Sequence, residues 1–473
     1  MNILMIAYRF PPASDSGTFR PMYFAHHLQN LGEQVSVLTV REQDYLAGQV
    51  KDDNLLRFLD HGVKIFHARV FRPREAILDA GSYVLRRGPA APPSAFSPPR
   101  PNEQAEKPTV QPPYSPSKTS SIIQWFREFI IDYLSIPDAQ IGWLPPAVSA
   151  GVKIVRDNRI DVIYATGGPW TSLLIGVALR RITRKPVIID FRDPWIANPY
   201  RNSTRSAIRA IEARMERTVL NMADHIITNT KELQQDFLAR YPKLSPQKLT
   251  TIPNGFEDYV AGNPASAARD CLTFTHAGTL YSSRNPRCLL QAIFNLIEHH
   301  GIPHQALRFV FLGGLDELGH DQDLYNLVQH PVLRDVIRIV PRVPYQEAVA
   351  YQQQSDILLL LQPDFPLQVP RKLYEYMAFR KPILAITNAS GATARTIQDH
   401  NFGIVVENQT TAIEIALKTC YQQWKNGDLP HLATEHCDAF LNKQLTLTLH
   451  GVFRGCLENR SGIEANDGLK VCL

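Results

Sequence analysis

The chain lacks paired cysteines, long apolar runs and a dominant charge sign. Its six cysteines, Cys271, Cys288, Cys420, Cys437, Cys456 and Cys472, all lie in the second half and form no C-x-x-C pair. That spacing offers neither a zinc ribbon nor a compact disulfide framework, and it points to reduced thiols in a cytoplasmic protein. No apolar run approaches the ~20 residues that span a bilayer. Met1 leads straight into a strand pattern, not into a basic segment with an apolar core behind it, so secretion is not expected. Fifty basic against 45 acidic side chains leave +5 over 473 residues, too thin a surplus for a nucleic-acid binder. Phosphorylated small molecules or an anionic membrane face fit such a surface better. Neither G-x-G-x-x-G nor G-x-x-x-x-G-K-[ST] occurs, which removes the main support for a dinucleotide oxidoreductase or a P-loop NTPase.

What is present is alternation. Short runs rich in Ile, Val and Leu fall at 2–8, 34–40, 64–68, 161–166, 187–192 and 225–230. A second series follows at 272–278, 308–314, 336–340, 357–362, 383–386 and 403–407. Apolar residues on both faces predict parallel strands buried between helix layers. Helical patterns such as 287–299 and 346–354 separate them. The length suits two domains of about 200 residues each. The expected fold is therefore α/β, with two doubly wound Rossmann-like domains facing across a cleft. Residues 1–255 form the first domain and 264–430 the second. Further helices at 431–460, crossing back to the first domain, and a flexible tail at 461–473 complete the division.

One segment breaks the pattern. Residues 89–116 carry ten of the 35 prolines, so 89–118 reads as a disordered or extended insertion without a core. In 121–134, Ile122, Trp125, Phe126, Phe129, Ile130 and Tyr133 share one helical stripe, with Arg127, Glu128 and Asp132 off it. A helix packed on its own sheet accounts for that spacing; a surface resting on a membrane is the sharper alternative.

In open α/β sheets ligands bind beyond the carboxyl ends of the strands. The first strand runs into a loop ending at Gly17 before a helix, where backbone N–H groups can approach an anion. Gly167 and Gly168 end the fourth run and allow close approach of a ligand. Arg192 and Asp193 end the fifth, although an Asp before Pro194 also suits a plain turn. The pair Asp321 and Asp323 sits at a helix start and reads as a solvated first turn rather than a metal site. His276 reads as an interior histidine.

The segments ILMIAYRFPPASDSGTFRPMYFAHHLQNLGEQVSVLT, DFRDPW at 190–195, IPD at 136–138 with Trp143, TNT at 228–230 and IPNGF at 252–256 occur in that overall frame. HAGTLY at 276–281 with Arg284, KLYEYM at 372–377 and KPIL at 381–384 follow. Together they resemble bacterial glycosyltransferases of the family 4-like, GT-B type, in an FRDPW-containing branch tied to polysaccharide and cell-envelope synthesis. The likeness runs from Met1 to about Phe440, outside the proline-rich insertion.

The resemblance implies a hexosyltransferase that moves a sugar from a nucleotide-sugar to a polysaccharide, glycolipid or lipid-linked acceptor, with retention and without metal or cofactor. It implies donor contacts at Gly17, Arg284, Arg342, Val343, Lys372, Leu373 and Glu375, with the base near Arg342 and Val343. Arg284 takes the place of the lysine in the family's G-R-x-x-x-x-K pattern, while Thr279 replaces its arginine. Glu375 matches the second glutamate of an E-x7-E motif, whose first position is Leu367 here. Arg192 and Asp193 are the catalytic candidates, and Gly167, Gly168, Asp138 and Trp143 border the acceptor side. A peripheral contact with the inner face of a membrane follows if the acceptor is lipid-linked. The alternatives are a catalytically degenerate GT-B protein that binds nucleotide or a partner enzyme, and another GT-B chemistry such as a nucleotide-sugar epimerase.

Overall fold

Strands whose side chains are apolar on both faces need a layer of helices on each side, and the computed structural model has that arrangement twice. It describes residues 1–45, 48–59, 62–72, 133, 135–198, 206–258, 270–280, 284–314 and 321–470. The first unit runs β1 (Asn2–Ile6), α1 (Phe19–Asn30), β2 (Gln34–Val40), α2 (Asn54–Phe58), β3 (Lys64–Ala68), α3 (Leu144–Asp157), β4 (Val162–Thr166) and α4 (Thr171–Thr183). It continues with β5 (Val187–Phe191), α5 (Ser206–Met222), β6 (His225–Thr228), α6 (Lys231–Arg240) and β7 (Leu249–Thr251). Among the described residues these strands form one parallel sheet in the order β3-β2-β1-β4-β5-β6-β7. The order reverses between β1 and β4, so the loops after these two strands open the crevice where a ligand fits.

Alternation along the central strands divides the core. Leu4, Ile6, Ile163, Ala165 and Ile189 pack on one face, and Ile3, Met5, Val162, Tyr164 and Ile188 on the other. β7 was not foreseen, because Leu-Thr-Thr is too short to show a period.

The second unit comprises β8 (Leu272–Ala277), α7 (Arg287–Glu298), β9 (Leu307–Leu312), α8 (Gln322–Val328), α9 (Pro331–Arg334), β10 (Ile337–Val340) and α10 (Tyr345–Gln353). Then come β11 (Ile357–Gln362), α11 (Arg371–Met377), β12 (Ile383–Thr387), α12 (Ala392–Asp399), β13 (Gly403–Val406) and α13 (Thr410–Asn426). Its parallel sheet has the order β10-β9-β8-β11-β12-β13. α14 (Thr434–Asp438) leads to α15 (Asn442–Lys470), which buries Leu445, Leu449 and Phe453 beside Ile3 and Met5 of the first unit. The chain thus crosses between the units twice, and the crossings are bonded together: Phe256 N donates to Phe440 O at 3.2 Å and Asn442 N to Phe256 O at 3.0 Å.

The stretch expected as a tail differs in part. No proline interrupts the sequence after Asn442, and α15 continues through residues 461–470. The insertion at 89–118 and the stripe at 121–134, apart from Tyr133, lie outside the described residues.

Candidate functional site: a cleft between the two sheets

The carboxyl edges of both sheets face one cavity of about 680 Å³. The first domain lines it with Arg9, Gly17, Phe19, Asp138, Gly168, Trp170, Arg192 and Asp193, among others. The second contributes Arg284, Gln368, Arg371, Lys372 and Glu375.

On the second-domain side, α11 supplies the cations. Pro370 precedes it in an extended conformation with no side-chain cap, Leu373 N donates to Pro370 O at 3.0 Å, and the first-turn residues Arg371 and Lys372 line the cavity. In a seven-residue helix Arg371, Lys372 and Glu375 share one face, and Leu373, Tyr376 and Met377 must take the other. Leu373, expected as a donor contact, is accordingly fully buried among Leu358, Leu360 and Ile383. The Lys372 side chain lies over Gly278, where a Cβ would stand 2.1 Å from Nζ. Gly278 also has φ +126°, a region that disfavours other residues. Burial, followed by the neighbouring Arg284 charge, lowers the Lys372 ammonium to about 7. Glu375 accepts an ion pair from Arg371 at 2.8 Å, and the Arg371 guanidinium lies 3.4 Å from the centroid of the Phe19 ring across the cleft.

The loop after β10 is placed elsewhere. Val343 packs against Val310, Leu312 and Val340, Arg342 is exposed, and neither lines the cavity. His276 is interior, with Nδ1 at 3.1 Å from Leu359 O, and burial together with Lys372 keeps it well below the usual histidine range. Asp321 caps α8 by accepting from Leu324 N at 3.0 Å, and both it and Asp323 pair with Arg287. Among the described residues no cluster of acidic, histidine and cysteine side chains is arranged to hold a metal ion.

On the first-domain side, Arg192 is spent on backbone. Its Nε and one terminal nitrogen donate to Gly167 O and Gly168 O, each at 2.5 Å, and the other terminal nitrogen donates to Gly17 O. It therefore ties the β1 and β4 loops together, and the expected catalytic candidate acts here as their clamp. Gly167 and Gly17 are placed by these bonds. A Cβ on Gly17 would meet Arg9 Cδ at 2.6 Å, and its N–H donates to Asp15 Oδ1 at 3.0 Å. Gly168 has φ +92°. Asp193 is half-buried at the cavity wall, and desolvation pushes its carboxyl up against the opposing pull of Arg192 and of a hydrogen bond from Gln368.

Of the acceptor-side expectations, the one for Trp143 changes. Trp143 is fully buried, 5.3 Å from the Tyr8 ring in an edge contact, because the turn before α3 directs it into the sheet. Asp138 does line the cavity, but its carboxylate caps α4, accepting from Thr171 N at 2.9 Å and Thr171 Oγ1 at 2.6 Å.

Several further residues had no role legible in the sequence, although Asp190, Arg20 and Thr230 fall inside the family-like segments. Asp190, fully buried at the end of β5, accepts from Arg20 at 2.9 and 3.0 Å, from Tyr164 Oη at 2.5 Å and from Thr166 Oγ1 at 2.9 Å. Arg20 also donates to Pro253 O at 2.6 Å and Ile252 O at 2.9 Å, fixing the chain where it leaves the first domain. Across the cleft, Thr230 Oγ1 donates to Leu367 O at 2.8 Å and Gln368 Nε2 to Asp193 Oδ1 at 2.6 Å. A basic residue three positions after a helix-entry glycine was an available hint for Arg20.

Comparison with known proteins agrees with this geometry. Residues 94–258 match the family model described as Glycosyltransferase Family 4, and residues 272–423 match Glycosyl transferases group 1. The two matches together span more than half of the chain. No curated protein matches the sequence. Among solved structures, sucrose-phosphate synthase from Thermosynechococcus elongatus is similar at 16% identity and TM-score 0.61, over 97% of this chain and 99% of that one. Anabaena HepE in complex with UDP is similar at 13% identity and TM-score 0.59, over 96% and 100%. A glycosyltransferase from Rickettsia africae ESF-5 gives 13% identity and TM-score 0.59, over 97% and 99%. At these identities the likeness to solved structures establishes the fold.

Proposed function

The chain belongs to the family 4-like glycosyltransferases of GT-B fold, nucleotide-sugar-dependent enzymes, and from that premise we propose how its cleft works. The donor's diphosphate lies against Lys372, Arg284 and the first turn of α11. As the bond from sugar to phosphate breaks, negative charge grows on the departing nucleoside diphosphate. Two cations and a helix N-terminus in a partly desolvated cleft meet that charge without a metal ion. The sugar passes with retention to an acceptor that enters from the first-domain side, past Asp193 and Gly168. Polysaccharide, glycolipid or lipid-linked acceptors fit this reading, the last with a peripheral membrane contact. Among the described residues no helix is long and apolar enough to cross a membrane.

The observation that carries the proposal is the placement of Lys372. Its ammonium stands over Gly278, beside Arg284 and at the cavity wall, where an anion would complete it. HepE was solved with UDP and with UDP-glucose, which makes UDP the first ligand to try. Calorimetric titration with UDP, followed by a UDP-sugar panel read by UDP release, tests the reading. Saturable UDP binding that weakens more than tenfold in Lys372→Ala and in Arg284→Ala is expected. Equal affinity in wild type and both variants overturns the donor assignment.

A further inference from the structure

Leu367 cannot hydrogen-bond through its side chain, yet the loop that carries it is fixed across the cleft. Its carbonyl accepts from Thr230 Oγ1, the residue that also caps α6 by accepting from Leu233 N at 3.1 Å. The next side chain, Gln368, reaches Asp193 Oδ1 at 2.6 Å. Its own carbonyl accepts from Gln362 Nε2 at 3.2 Å and Thr393 Oγ1 at 3.1 Å, which anchors it to β11 and α12 of the second domain. Asp193 belongs to the first domain, 175 positions away. The charged groups that face it are Arg192, Arg9 and Asp190. Arg192 is committed to three loop carbonyls and Asp190 to Arg20, so neither holds the Asp193 carboxylate in one orientation.

Resting on the transferase reading, we propose that Gln368 is a positioning residue that holds Asp193 from across the cleft, so that the acceptor-side carboxylate takes its working orientation only when the two domains meet. One amide N–H fixes Oδ1. Oδ2 is left beside Gly168, where a Cβ would approach to 3.6 Å, and the missing side chain keeps that oxygen accessible. Donation to the carboxylate also favours its ionised form against the desolvation that opposes it. A glutamate in this loop would place like charge against Asp193; a carboxamide closes the cleft and leaves its own carbonyl oxygen free for a hydroxyl.

The test uses the full chain labelled with carboxyl-13C aspartate, the Asp193 resonance being assigned by its absence in Asp193→Asn. In Gln368→Leu, of similar size but without a donor, Asp193 is expected to titrate at higher pH than in wild type, while UDP affinity stays within twofold. In Gln368→Glu the two carboxylates repel, so scattering should give a larger radius of gyration at pH 8. That radius should fall back to the wild-type value on acidification, when the pair shares a proton. An unmoved Asp193 midpoint in Gln368→Leu, or a wild-type radius for Gln368→Glu at every pH, overturns the proposal. Absence of binding of UDP and of the other common nucleoside diphosphates to the wild-type protein would sink the donor-site reading instead, while the Asp193 midpoint in Gln368→Leu still decides this proposal.

Discussion

Lys372 shows most directly how position sets chemistry. A free lysine is charged far above neutrality, but burial and Arg284 bring this one to about 7. Its folded value lies below its unfolded value, so between about 7 and the ordinary lysine range the unfolded chain holds more protons. This group's contribution to stability therefore rises with pH across that window. Nucleotide affinity should run the other way. A bound diphosphate needs the charged ammonium, so UDP affinity is expected to be highest below pH 7 and to fall as pH rises through it. Calorimetry from pH 6 to 9 checks this, and Lys372→Ala should lose that part of the pH dependence as well as about 1.5–3 kcal/mol of binding. A flat wild-type profile would mean that the ammonium does not meet the phosphate. Gly278 is tied to the same atom. Gly278→Ala puts a methyl group on Nζ and strains a backbone at φ +126°, and a cost of about 1–3 kcal/mol with weakened UDP binding is expected.

At the scale of elements, the start of α1 joins three parts of the molecule. Arg20 reaches Asp190 at the end of β5 and the carbonyls of Ile252 and Pro253, while Phe19 meets Arg371 of α11. Removing one partner of a buried pair leaves the other charge unpaired, which costs about 3–5 kcal/mol. Arg20→Met should lower the stability of the first domain by that order in urea unfolding followed by circular dichroism. A loss under 1 kcal/mol would show that Asp190 is held by Tyr164 and Thr166 alone. The stripe at 121–134 makes its own prediction at this scale. If it rests on a membrane, wild-type protein should float in part with anionic liposomes, and Trp125→Ser with Phe129→Ser should not. Wholly sedimenting wild type would leave only the packed-helix reading.

At the scale of the whole molecule, the cavity exists only where two sheets present their carboxyl edges to each other. A ligand that bridges them should stabilise the protein as one unit. UDP at about 100-fold over its Kd is expected to add about 2.7 kcal/mol, visible as a rise in Tm. Chelation tests the source of the phosphate-binding charge. Turnover should persist in EDTA, because the charge is met by Arg284, Lys372 and α11. Loss restored by magnesium would return attention to Asp321 and Asp323, despite their pairing with Arg287.

The sequence alone determined the α/β alternation, since a strand covered on both faces must be apolar on both, and a run such as ILLLLQ at β11 has no solvent side. It also marked strand ends as the place for chemistry, which singled out Gly168 and Asp193, while Arg284, Lys372 and Glu375 came from the family resemblance of the segments around them. Which neighbour faces the cleft was decided only by tertiary structure. Lys372 and Leu373 differ by a single step of helix phase, and the core under α11 sets that phase. Trp143 was drawn inward by the first sheet, the Asp138 carboxylate was engaged at the cavity wall by the start of α4, and Arg192 was taken up by the carbonyls of two loops. The pairs Arg20–Asp190 and Gln368–Asp193 join residues 170 and 175 positions apart, and no local pattern of period 2 or 3.6 can register a partner at that distance.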